Sequence, residues 1–225
     1  METSLHRCLK SHYARAGAKY EERLGQYRID VHNGDELVEI QHGSLAAIRD
    51  KIARLVVDHQ VLVVKPIVGR KTIIRLDRPE GREVSRRLSP KQGALLDVFD
   101  ELIFFRRVFP HPQLVIDVPL VEIEETRYPG HGRRRRWRRD DHVVEDQRLV
   151  AVRSRTTFRT AADLLSLLPA EMPRPWHTGD LADLLDIRRH IAQRIAYCLR
   201  HMSAAREVGK RGNARLYDFS VARAA

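Results

Sequence analysis

Asn33-Gly34 lies between two short runs in which apolar and polar residues alternate, residues 27–32 (Tyr-Arg-Ile-Asp-Val-His) and residues 35–41 (Asp-Glu-Leu-Val-Glu-Ile-Gln). This is the strongest short-range signal for a β-hairpin, because a type I′ turn needs positive φ at both central residues and Asn-Gly tolerates it. As a two-residue loop it predicts His32 opposite Asp35, Asp30 opposite Leu37 and Ile29 opposite Val38. Side chains alternate along a strand, and paired residues share a side. One face should therefore carry Tyr27, Ile29, Val31, Val38 and Ile40 and pack into a core. The other should carry Arg28, Asp30, Glu39 and Gln41. Glu39 is then a diagonal neighbour of Asp30, roughly 7–8 Å across the sheet. Two carboxylates at that separation can share a divalent cation.

The flanking segments extend the pattern. Residues 4–16 place Leu5, Cys8, Leu9 and Tyr13 among basic residues, which predicts a short amphipathic helix. Gly17 breaks it, and residues 18–24 predict a first strand carrying Glu21 and Glu22, closed by Gly25-Gln26. After the hairpin, Gly43-Ser44 supplies a break and an N-cap. Leu45, Ile48, Ile52, Leu55 and Val56 then follow the 3.6-residue period of a buried helix. Residues 61–64 are all apolar, as expected for a strand covered on both faces.

Helix, three antiparallel strands, crossover helix and strand, with Asp30 on the second strand and Glu39-x-Gln41 on the third, resemble the PD-(D/E)xK nuclease superfamily across about residues 4–67. That resemblance implies an α+β fold, here a restriction-endonuclease-like αβββαβ core. It implies Mg²⁺ or Mn²⁺ held by Asp30 and Glu39, with Glu21 as an accessory carboxylate. At the third motif position the superfamily has a Lys that orients and activates the attacking water. Here Gln41 stands there, a variant accepted in some members, and Ile29 replaces the usual Pro before Asp30. Mg²⁺ keeps several waters and needs only one or two carboxylates plus a substrate phosphate. Gln41 can hydrogen-bond water but brings no positive charge, so Lys51, Arg49 or Lys65 are the nearby cations that would supply it. The alternative is that Asp30, Glu39 and Gln41 are the solvated face of a sheet.

Beyond residue 67 the pattern is less regular. Residues 72–76 predict a strand paired with the preceding one through Gly69-Arg70-Lys71. Ser89-Pro90 predicts a helix start, with Leu95, Leu96, Phe99, Leu102 and Ile103 as its apolar face. Residues 114–124 alternate as a long strand, interrupted by Pro119, which predicts an edge or a bulge. Residues 149–158 should return antiparallel to it. Between them lies a basic run from Gly130 to Arg139 that includes Arg133, Arg134, Arg135, Arg136 and Trp137. It predicts a loop able to grip phosphates, with Trp137 stacking on an unpaired base, unless it is simply solvated.

The last third predicts a short helix from residue 160 or 163 to 168, a Pro-rich connector, a helix at 180–185, and a long helix at 188–202 with Ile191, Ile195, Leu199 and Met202 inward. A hairpin about residues 210–213 follows. This order resembles a winged-helix domain. The resemblance implies a third helix that reads DNA through Arg188, Arg189, Gln193, Arg194 and Arg200, and a wing touching phosphates through Lys210 and Arg211. Winged helices also serve as protein-docking modules. His190 and His201 lack partners at ligand spacing and read as ordinary surface or partly buried histidines.

Domain boundaries are therefore expected at residues 1–126 (nuclease-like), 127–159 (basic loop and connecting strand) and 160–225 (winged helix). A formal charge of +11 over 225 residues favours a polyanionic partner, double-stranded DNA above all. The chain shows no apolar run of membrane-spanning length and no signal-peptide pattern, and Cys8 and Cys198 are isolated, so a reducing cytoplasm is the expected compartment. Three functions remain in view: a metal-dependent deoxyribonuclease, a DNA-binding regulator on an inactive nuclease fold, and a protein-interaction adaptor.

Overall fold

The computed structural model describes residues 2–130 and 141–220. The Arg133–136 run and Trp137 lie outside the described residues. The chain is a mixed α+β protein built on one eight-stranded sheet. Helix α1 (Ser4–Tyr13) is capped by the Thr3 side chain, which accepts from the His6 amide. Three antiparallel strands follow, β1 (Lys19–Leu24), β2 (Tyr27–His32) and β3 (Glu36–Ile40). A 3-10 turn at Leu45–Ala47, capped by Ser44, leads into α2 (Arg49–Leu55). This crossover delivers β4 (Gln60–Val64) parallel to β3.

Both faces of this first sheet are covered. Leu5, Leu9 and Tyr13 of α1 pack with Val31, Val38, Ile40 and Val64. On the opposite face Ile29, Leu37, Val61 and Val63 join Leu45, Ile52 and Leu55. Tyr13 also donates to Asp117, a nearly fully buried carboxylate that accepts from Thr157 at 2.9 Å and Arg155 at 2.7 Å as well. That network pins the C-terminal end of α1 to the long central strands.

The second half of the sheet departs from expectation. Strand β5 (Ile67–Leu76) runs through Gly69 without turning, so it does not fold back on β4. Together β4 and β5 line one edge of β7 (Leu114–Pro129), parallel to it, and β6 (Glu83–Leu88) pairs antiparallel with β5. Pro119 is consequently interior to the sheet. Its missing N–H falls where β4 ends at Val64 opposite Asp117 and β5 begins at Ile67 opposite Leu120, so Pro66 faces the same gap. The predicted bulge is present beside it, between Leu120 and Val121. Ser89-Pro90 does not open a helix: a 3-10 turn at Leu95–Asp97 precedes α3 (Val98–Phe105). Strand β8 (His142–Phe158) pairs along almost all of β7, so the predicted boundary at 126/127 falls inside a strand and residues 142–158 belong to the main sheet.

The C-terminal segment opens with a 3-10 turn, Asp163–Leu167, where a helix was expected. Then come α4 (Thr178–Leu185), α5 (Arg189–His201), and a hairpin of β9 (Ala205–Arg211) and β10 (Ala214–Phe219). Trp176 bridges to Tyr217 as a short third strand. Gly212, at φ +58°, makes the hairpin loop with Asn213 alone, which leaves Lys210 and Arg211 on β9. One apolar core runs from β4 through Phe99, Phe105 and Phe158 to Trp176, Ile195 and Leu199. The C-terminal helices are thus packed into the same core as the sheet.

Candidate metal and nucleic-acid sites

The hairpin register is shifted by two residues from the predicted one. Val31 pairs with Val38 and His32 with Leu37, and the Asn33 amide donates to Glu36 O at 2.9 Å. The loop is therefore Gly34-Asp35, with glycine at φ +87° in the first position, a type II′ pattern. The cause is Asn33 itself. Its side chain accepts from Arg15 N at 2.9 Å and donates to Tyr13 O at 3.1 Å, so the end of α1 has claimed it. A shift of two leaves every side chain on its original face, whereas a shift of one would have reversed them. In this register Asp30 falls directly opposite Glu39.

Alternation fails at one point, and it is Asp30. Val31 lies in the core beneath α1, but Ile29 lies in the core on the other face, against the expectation that they share one. Glu21, across from Asp30 between the Tyr20–Val31 and Glu22–Ile29 pairs, adopts a left-handed φ of +55°. For a non-glycine residue that conformation costs about 1–3 kcal/mol. Beyond Val31 and Val38 a side chain takes over the ladder: Asp30 Oδ2 accepts from the Ile40 amide at 2.8 Å. This bond ties the Asp30 carboxylate to the backbone next to Glu39 where β2 and β3 part.

Each carboxylate has its own basic neighbours. Asp30 Oδ1 lies 3.2 Å from His6 Nε2 and 3.8 Å from Lys10 Nζ, both projecting from α1 one turn apart. Burial works against ionisation of Asp30, but His6, the Ile40 amide and Lys10 outweigh it and hold its carboxyl below the usual range. Lys10, itself buried, also pairs with Glu21 and lies 2.5 Å from Glu2. Glu39 is only 5 % exposed. Burial pushes its carboxyl up to about 7, the neighbouring Asp30 adds to the rise, and Lys51 opposes both. Lys51 comes from α2, ion-pairs with Glu39 and donates to Arg28 O.

The structure sorts the predicted residues accordingly. Asp30 and Glu39 converge, Glu39 buried and Asp30 partly so, rather than on an open solvated face. Glu21 stands beside them through Lys10, with Arg28 as its second partner. Gln41 is directed elsewhere: its amide donates to Ser44 O at 2.7 Å and braces the loop entering α2. Of the three candidate cations, Lys51 reaches the pair. Lys65 is committed to His42 O at 3.1 Å, Gly43 O at 2.5 Å and Glu101, and Arg49 pairs with Asp50 at the surface. His6 and Lys10 were missed by sequence reading. Their signal was the i, i+4 polar stripe on a helix whose apolar stripe packs on the hairpin.

In the C-terminal segment Arg188 is the exposed N-cap residue of α5. Arg189, Gln193, Tyr197 and Arg200 line a groove of about 550 Å³ whose far wall is Asn213, Arg215 and Tyr217. Arg194 does not belong to this face. It ion-pairs with Asp100 of α3 and joins α5 to the sheet. Lys210 and Arg211 are exposed.

A mixed α+β protein with a paired-carboxylate site at a parting hairpin is the class these features define. The chain belongs to the domain family of unknown function DUF8091, which it matches over residues 3–159. It is also 30% identical over 218 residues to an uncharacterized protein of Treponema pallidum (strain Nichols), covering 96% of this chain and 84% of the relative. No solved structure matches. Among the described residues no helix is long and apolar enough to cross a membrane, and no group of three or more His, Cys, Asp or Glu is placed to hold a metal ion.

Proposed function

We propose that this protein is a metal-dependent nuclease that hydrolyses phosphodiester bonds in DNA, with a C-terminal winged helix that grips the substrate. The observation that carries the reading is the junction of Asp30, Glu39 and Lys51 where β2 and β3 separate. The element order from α1 to β4 supports a restriction-endonuclease-like core. The Trp176 bridge, α4, α5 and the β9–β10 hairpin support the winged helix.

An oxygen-only donor set of two adjacent carboxylates fits Mg²⁺ or Mn²⁺, which completes its shell with water and substrate phosphate and needs no all-protein cage. Glu39 Oε1 is buried and ion-paired with Lys51, so a metal ion would share this carboxylate with the Lys51 ammonium. Asp30 and Glu39 would hold the ion, which when bound polarises the phosphoryl group and makes water a better nucleophile. Lys51, ion-paired with Glu39, would supply the positive charge that the superfamily takes from its motif Lys. Its ammonium orients a water beside Glu39 and balances charge developing on the phosphate. His6 and Lys10 hold the Asp30 carboxylate ionised and fixed in direction.

A second reading has its own observation. His6 and Lys10 stand beside Asp30 and Lys51 beside Glu39, contacts that a DNA-binding regulator on an inactive nuclease fold could keep. Incubating the protein with plasmid and oligonucleotide DNA, with Mg²⁺ or Mn²⁺ against chelator, separates the two. Metal-dependent cleavage lost in Asp30→Ala supports the nuclease, and binding without cleavage supports the regulator.

A further inference from the structure

The groove between α5 and the β9–β10 hairpin is walled on both sides. Arg189, Gln193, Tyr197 and Arg200 recur at helical spacing along α5, and Asn213 and Arg215 face them from the hairpin. Its volume, about 550 Å³, is that of a small-molecule pocket. We propose that this groove takes a single nucleotide of an unpaired DNA strand, with the phosphates on its two sides directed toward Arg189 and Arg200 and its base edges on Gln193 and Asn213. The inference rests on the nuclease reading for its substrate and narrows that substrate to DNA with a single-stranded segment.

Three observations carry it. First, the guanidiniums of the groove differ from those along the long central strands, where Arg86 and Arg148 pair with Glu124, Arg153 with Glu122 and Arg155 with Asp117. Among the described residues neither Arg189 nor Arg200 has an ion pair, and only Arg215 of the three guanidiniums lining the groove has one, with Glu207 at 3.3 Å. Two guanidiniums on one concave surface without carboxylates, beside two side-chain amides, form a donor set for phosphate and base edges. Second, reading a duplex requires a helix edge that enters a major groove about 12 Å wide. The polar stripe of α5 is instead flanked by the hairpin, so a group the size of one nucleotide reaches it more readily than a duplex. Third, Arg194, which would extend a duplex-reading edge, is held by Asp100. Tyr197 is braced by Arg106 at 5.4 Å and by His201 at 4.2 Å between ring centroids, so this wall is pre-organised.

The test is fluorescence anisotropy of the full-length protein with a labelled oligothymidine and a labelled blunt duplex, in chelator, over a salt series. The Arg189→Ala/Arg200→Ala variant should bind the oligothymidine about tenfold more weakly, and its log–log salt slope should flatten by about 0.7 for each phosphate that is no longer neutralised. Duplex affinity should stay near the wild-type value, which also shows that the variant is folded. Gln193→Ala should weaken the oligothymidine alone. Equal losses on both probes would mark a duplex-docking face and overturn the proposal, as would unchanged binding of the single strand. Cleavage plays no part in this readout, so failure of the groove assignment and failure of the nuclease reading appear in separate assays.

Discussion

Glu39 is a carboxylate held where ionisation is costly, and Lys51 makes that position chemically useful. Lys51→Ala should lower metal-dependent cleavage by about 10²–10³-fold while DNA affinity stays unchanged, and Lys51→Arg should restore part of the rate. Gln41→Ala should cost far less, because its amide braces Ser44. The sign of the pH dependence follows from burial. In the metal-free protein Glu39 keeps its proton up to about pH 7, against an ordinary value of 4.5. Between those values the folded state binds more protons than the unfolded one, so stability should fall as pH rises through the window. Chemical denaturation in chelator should show that slope, and Glu39→Gln should flatten it. Cys198 gives a third check. Burial pushes its thiol up to about 12, while Cys8 is exposed. A thiol reagent near pH 8 should label Cys8 alone in native protein and both cysteines in denaturant.

At the scale of elements, α1 does more than cover a sheet. Its apolar stripe packs on Val31, Val38 and Ile40, its polar stripe reaches Asp30, and Tyr13 anchors its end to Asp117. Tyr13→Phe should cost about 1–1.5 kcal/mol, read as a lowered Tm, because Asp117 keeps Arg155 and Thr157. Period-2 alternation made Asp30 and Glu39 legible in the sequence. The turn position was misassigned, yet the error of two residues preserved every face between Val31 and Ile40. What alternation could not convey is the break at Asp30, since it depends on the left-handed Glu21 across the strand pair. Nor could it convey Arg194, whose partner Asp100 is 94 residues away. Continuity of β5 past Gly69 was equally hidden, because its partner is β7 and no local turn signal marks that pairing.

At the scale of the whole molecule, the carboxylate site and the α5 groove sit on one framework. α3 packs against the sheet core and α5 together, and the Arg194–Asp100 pair crosses that junction. The boundary drawn at residue 160 therefore marks a change of element type within a continuous core, and the α5 groove has a fixed relation to the hairpin. In the proposed reading Asp30 and Glu39 hold the metal ion of a nuclease together. The most direct measurement is cleavage of single-stranded, duplex and branched DNA by wild type, Asp30→Ala and Glu39→Ala, each with Mg²⁺, with Mn²⁺ and in chelator. Cleavage should require the metal and disappear in both variants, while DNA binding stays in place. Wild-type protein that binds DNA but cuts none of these substrates with either metal would contradict that assignment.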